Sequence, residues 1–272
     1  MAVYVGLVPP FEGYSKGFST TFILAILRHV GRRRFCRLLI IKKYVIIEIY
    51  FKKIMAMEAT HVLFARDLQK NLSIEDASAF FAGCIYPDSR YVTRISRDLT
   101  HGADTPQNPF ANGLSDFEKG WGTHFLYDHL EGRRMRELLE GDPDSSREAL
   151  ITMTAMKLLE DQQSYDRLGD EAGHIFKTMR VDTSPKGEDV SAIRAYFEMN
   201  TELYAKRPEL DDYRRFFQRF IPSPEYGEQV IREAQRLSDQ QEMKREILAI
   251  YDRSLEESYL FRSETTGELL KR

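Results

Sequence analysis

The stretch Ser115-Asp116-Phe117-Glu118-Lys119-Gly120-Trp121-Gly122-Thr123-His124-Phe125-Leu126-Tyr127-Asp128 decides the reading of the rest of the chain. Ser115 followed by Glu118 is a capping-box pattern, in which a hydroxyl and a carboxylate satisfy backbone N–H groups that a helix start leaves unpaired. It predicts a helix running to about Glu140. On such a helix His124 and Asp128 lie four residues apart, so an imidazole and a carboxylate project from one face about one turn from each other. Gly120 and Gly122 flank this pair. Each weakens a helix by roughly 1 kcal/mol relative to Ala, and close approach of another helix or of a ligand gives a reason for them.

Working outward, helical spacing dominates from Glu58 onward. His61, Val62, Phe64, Ala65 and Leu68 share neighbouring faces of a helix expected to end near Asn71. A second helix opens at Ser73-Ile74-Glu75-Asp76, with Ser73 as the N-cap candidate, and carries Ala77, Phe80, Phe81 and Cys84 before Pro87 stops it. Residues 86–114 hold Pro87, Gly102, Pro106, Pro109 and Gly113 and read as a long loop with a helical turn around 92–99. Loops of that length inside compact domains are functional or disordered, and Asp88 and His101 favour function. After a turn at 141–144, with Ser145 as cap, helices are expected over 145–168, 171–179, 189–205, 209–220 and, as one long element, 225–261. Residues 58–272 show no strand pair, no coiled-coil heptad run and no internal repeat, so the body is expected to be all-α, a multi-helix bundle.

With 272 residues and 42% apolar content the chain can bury a sizeable core. Its net charge of −3 argues against a nucleic-acid partner, but the charge is unevenly placed: residues 1–54 carry ten Lys or Arg against two acids, leaving 29 against 40 elsewhere. Residues 1–54 form a basic, Ile-rich N-terminal extension, and 55–272 the main domain. Met55 and Met57 precede the first helical pattern, and the native product is expected to begin there, with the leader an upstream extension of the reading frame. The competing reading of 1–54 is a basic arm making peripheral membrane contact. Charged residues interrupt its apolar runs, so no stable transmembrane helix is expected. Cys36 and Cys84 are too few for a disulfide framework. With no signal peptide evident, a reducing, cytoplasmic setting is the expectation.

The candidate chemistry lies in His61, Asp88, His101, His124 and Asp128. Imidazole and carboxylate ligands without thiolate suit zinc, or another divalent ion, in a site that keeps a water. Asp88, His101, His124 and Asp128 make one complete set, and His61 with a bridging Asp128 suits a second ion. Asp88 is also the candidate catalytic base that orients the water. Arg90, Arg94 and Arg97 lie three and four apart and are candidates for substrate phosphate.

The order of His61, then Phe80-Phe81-Ala82-Gly83-Cys84-Ile85-Tyr86-Pro87-Asp88, then Thr100-His101, then Thr123-His124-Phe125-Leu126-Tyr127-Asp128 resembles the zinc-dependent phospholipase C family and its nuclease relatives. The likeness covers roughly residues 58–130. It implies an all-α bundle of the phospholipase C/nuclease type in which Asp88, His101, His124 and Asp128 bind one zinc while His61 helps bind another. Secreted members add a further His and a later His-x-x-x-Glu pair. After Asp128 this chain has only His129 and His174, the latter followed by Ile-Phe-Lys-Thr, so one or two ions are expected rather than three.

A metal-dependent hydrolase of phosphate esters follows, acting on a phosphorylated small molecule or a lipid headgroup. Two alternatives stand beside it. One is a non-catalytic helical binding or scaffold protein. The other is an HD-type phosphohydrolase, whose adjacent His-Asp dipeptide is absent here, where Asp128-His129 reverses the order.

Overall fold

The computed structural model describes residues 57–139, 146–181, 183–219 and 224–263. All of them belong to one compact unit, 51–272. The expectations about the basic leader, its membrane arm and Cys36 fall outside the described residues.

Every regular element among the described residues is helical. In chain order these are α1 (Glu58–Gln69), α2 (Ala77–Ile85), a 3-10 turn (Tyr86–Ser89), the short α3 (Arg90–Thr93) and α4 (Arg97–His101), α5 (Asp116–Leu138), α6 (Arg147–Leu168), α7 (Glu171–Thr178), α8 (Val190–Leu203), α9 (Leu210–Gln218), α10 (Pro224–Asp239) and α11 (Gln241–Ser263). None of these helices is long and apolar enough to cross a membrane.

Local chemistry accounts for most of the boundaries. The capping box at Ser115 and Glu118 forms as expected. Asp116 Oδ2 accepts hydrogen bonds from the backbone N–H of Glu75 (2.8 Å) and Asp76 (2.7 Å), so the start of α5 is tied to the start of α2. The expected cap of α2 is corrected: it is Asp76, whose carboxylate accepts from the Ala79 N–H, three residues beyond Ser73. Likewise Ser146 caps α6 through the Ala149 N–H. Gly169 at φ 58° ends α6, a left-handed conformation that glycine adopts without Cβ strain. The long helix expected over 225–261 is two helices, broken at Gln240, where exposed polar residues let the chain turn without Gly or Pro.

The packing has α5 at its centre. α2 makes its most extensive contact with α5, α1 lies against α2, α5 and α6, and α11 returns along α5 and α6. Two glycines set the α2–α5 distance. A Cβ on Gly83 would fall 1.9 Å from Phe117 O, and one on Gly120 would fall 1.9 Å from Phe80 O. Neither backbone could come so near with any larger residue. Gly122 plays the same part toward the preceding loop, where a Cβ would meet Pro109 N at 2.8 Å. Phe64, Phe80, Tyr86, Tyr127, Leu130 and Tyr251 fill the interior around this junction.

Candidate metal centre

Each element delivers its side chain for a local reason. α1 presents Glu58 and His61, three apart and so on one face. The 3-10 turn that follows α2 turns Asp88 inward, where it is buried. His101 is the last residue of α4, and that turn is clipped to α5 by Trp121 Nε1, which donates to Thr100 O at 2.9 Å. Trp121 is thus a buried structural residue. On α5, His124, Asp128 and Glu131 follow at intervals of four and three, one stripe facing α1 and α6.

All five of the expected residues meet. Asp128 Oδ1 lies 3.6 Å from His61 Nε2, and its Oδ2 lies 3.4 Å from His124 Nε2 and 3.7 Å from His101 Nε2. His124 Nε2 and His101 Nε2 are 3.4 Å apart. His61 stacks on His124, with ring centroids 4.1 Å apart and 18° between planes. Asp88 joins His101 and His124, with ligand atoms all within 4.8 Å of one another.

The hydrogen bonds on the far sides of the rings set their orientation. His124 Nδ1 is 2.8 Å from Cys84 O, one of the end carbonyls of α2; a carbonyl only accepts, so Nδ1 carries the hydrogen and Nε2 a lone pair. His101 Nδ1 is 2.8 Å from the Thr100 hydroxyl, which itself donates to Arg97 O at 3.3 Å. The hydroxyl's single hydrogen can instead go to His101 Nδ1, the nearer partner, so the direction of that bond follows the His101 tautomer. The Nε2 atoms of His124 and His101 and a carboxylate oxygen of Asp128 face one another across less than 4 Å, and such a set binds either a proton or a metal ion. The orienting carbonyl and hydroxyl are the partners that a metal-binding histidine requires on its other nitrogen.

Electrostatics set His124 apart from the other two imidazoles. Burial pushes the His61 imidazolium well down, with His124 adding to it, and burial likewise lowers His101. Burial also pushes His124 down, but the charge and hydrogen bond of Asp128, with Asp88 and the Cys84 carbonyl, outweigh it and leave its pKa raised. For Asp128 the burial cost is overcome by His124, Lys157 and His101, which hold the carboxylate well below its usual range. Asp128 is the most exposed of the four, its side chain 25% exposed, while those of His61, His101 and His124 are 3% or less.

Four further residues surround the centre that the sequence reading did not single out. Lys157 on α6 is buried, 3.7 Å from Asp128 Oδ1 and in contact with the Glu131 carboxylate. Glu160, one turn on, accepts from Tyr127 OH at 2.8 Å. Glu58 contacts the Tyr196 hydroxyl. The available signals were Glu131 completing the stripe of His124 and Asp128, and Lys157 standing alone within the apolar run from Met153 to Leu159.

The arginines behave differently from one another. Arg90 is buried, with Nη2 3.7 Å from Asp88 Oδ1 and its guanidinium 4.0 Å above the Tyr91 ring. Arg94 and Arg97 are exposed. The single helical turn expected over 92–99 is corrected: Arg94 at φ 63° ends α3, and Arg97 starts α4, so the three do not share a helix face. Compared with protein-family models, curated proteins and solved structures, the chain matches none.

Proposed function

We propose that the protein is a metal-dependent hydrolase of phosphate esters, phospholipase C-like in chemistry. The observation that carries this is the convergence of three imidazoles on the Asp128 carboxylate, with the His124 and His101 Nε2 atoms turned inward by partners on their other nitrogens. Asp88, His101, His124 and Asp128 would hold one divalent ion, zinc being the best match to this ligand set, and His61 with Asp128 would serve a second. A bound ion supplies Lewis acidity and makes water a nucleophile near neutral pH.

The chain's own groups then have defined tasks. The buried Asp88 carboxylate is placed to orient water and take its proton, with Arg90 beside it to bind a phosphoryl oxygen. Lys157 fixes Asp128 and offsets the negative charge gathered below it. The partly exposed edge at Asp128 is where a phosphorylated small molecule or lipid headgroup would enter. A cytoplasmic setting belongs to this reading.

One observation favours the scaffold alternative: Lys157 already gives Asp128 a buried cationic partner. Elemental analysis separates the two. The purified 272-residue chain is expected to carry near-stoichiometric zinc, manganese or iron, lost in His124→Ala. It should cleave a chromogenic phosphodiester in a reaction abolished by chelator and by Asp128→Ala. A folded wild-type protein that takes up no metal on dialysis against zinc or manganese sinks the proposal.

A further inference from the structure

Glu58, at the first turn of α1, is 3% exposed and forms no ion pair with any described residue. Its Oε1 contacts the Tyr196 hydroxyl, whereas Oε2 is buried without a hydrogen-bond partner among the described residues. The same is true of His61 Nδ1 and of Asp88 Oδ2, in residues 1% and 2% exposed. One ligand atom from each of Glu58, His61 and Asp88 lies within 4.8 Å of the other two. Of the nearby cations, Lys157 pairs with Glu131 and Asp128, while Arg90 pairs with Asp88 Oδ1 and stacks on Tyr91, so Glu58 has no cationic partner among the described residues. Two buried carboxylates turned toward one imidazole, with an unpartnered polar atom on each, form a binding site for positive charge.

We propose that Glu58, His61 and Asp88 hold the second divalent cation of the centre, with Asp88 then a ligand shared with the ion held by His101 and His124 in place of its role as base. This rests on the metal reading above and assigns its second ion to a set other than His61 with Asp128, because the unpartnered His61 Nδ1 lies on a different edge of the ring from the Nε2 that faces Asp128 Oδ1. Two carboxylates to one imidazole make this site harder than its neighbour, so Mn²⁺ competes better there against Zn²⁺ than at the imidazole-rich set. The rival for Glu58 is a bound proton, and Glu58→Gln has the shape and hydrogen-bonding capacity of the protonated acid.

The test is metal stoichiometry by elemental analysis and by titration with Zn²⁺ and Mn²⁺, on the full chain and on Glu58→Gln, with circular dichroism to confirm folding. Two equivalents in the wild type falling to one in the variant is the expected result. Two in both, or one in both, overturns the second site while leaving the first intact; none in the wild type overturns both proposals. Should the variant not fold, wild-type crystals grown with Mn²⁺ decide. An anomalous peak at ligand distance from the Glu58 carboxylate supports the site, and a peak confined to His101 and His124 refutes it.

Discussion

Gly120→Ala links packing to the candidate metal centre. An alanine Cβ there would stand 1.9 Å from Phe80 O and 2.9 Å from Cys84 N, against an ordinary contact of 3.4 Å or more. Both contacts are backbone, so α2 must withdraw from α5 by about 1.5 Å, the shortfall at Phe80 O. That same helix carries the Cys84 carbonyl that holds His124 Nδ1 at 2.8 Å, a bond such a shift would break. Overpacking costs roughly 1–3 kcal/mol and the lost buried hydrogen bond roughly 1–3 more, while alanine's better helix propensity returns about 1. The net is about 3 kcal/mol, or on the order of a 10 °C fall in melting temperature for a domain of this size. Losing the partner of a metal-binding histidine costs about 10–100-fold in metal affinity. Thermal and urea unfolding, with and without zinc, measure both effects. Gly132→Ala on the same helix is the control: its Cβ meets only Arg136 Nη1 at 3.6 Å, so it should be neutral or stabilising. A Gly120→Ala protein that melts as high as the wild type and binds zinc as tightly refutes the reasoning.

Lys157→Met leaves Glu131 and Asp128 without their buried cation, and the metal-free protein should lose about 3–5 kcal/mol. Added zinc should then raise the melting temperature more in this variant than in the wild type, because a competing charge 3.7 Å from Asp128 Oδ1 is gone; an equal or smaller rise counts against Lys157 facing the site. Asp161 accepts from Thr60 N (3.0 Å), Tyr204 OH (2.9 Å) and Tyr213 OH (2.5 Å), yet burial wins and its pKa is pushed up from 3.8 to about 6. The folded state therefore holds its proton more tightly than the unfolded one. This contribution is full below pH 3.8 and is lost as pH rises toward about 6, a change of about 3 kcal/mol. Asp161→Asn should flatten that slope, so the stability difference between variant and wild type, followed by urea unfolding from pH 4 to 7, should shift in the variant's favour with rising pH. A constant difference would contradict it. Arg90→Met should raise KM for a phosphodiester substrate far more than Arg94→Met or Arg97→Met, since only Arg90 is buried beside Asp88; equal effects from all three would place the phosphate elsewhere.

Helical periodicity and capping chemistry are local, and the sequence carried them: the all-α class, the capping box at Ser115 and the start of α5 can be read from neighbours a few residues apart. Where several residues of similar chemistry stand together, the sequence left the choice open. Asp76 caps α2 in place of Ser73 because α5 engages the backbone there through Asp116, a partner some 40 residues away in the chain. The break at Gln240 has no Gly or Pro to announce it and reflects where α10 and α11 find separate packing surfaces. Spacing marked His124 and Asp128 as one face, but only folding brings His61, Asp88 and His101 to it, across separations no periodicity encodes. The roles of Glu58 and Lys157 depend wholly on that assembly. A charged residue on a helix is a solvated surface group by default, and it becomes a ligand or counter-ion only when neighbouring helices remove its water and supply charges to face.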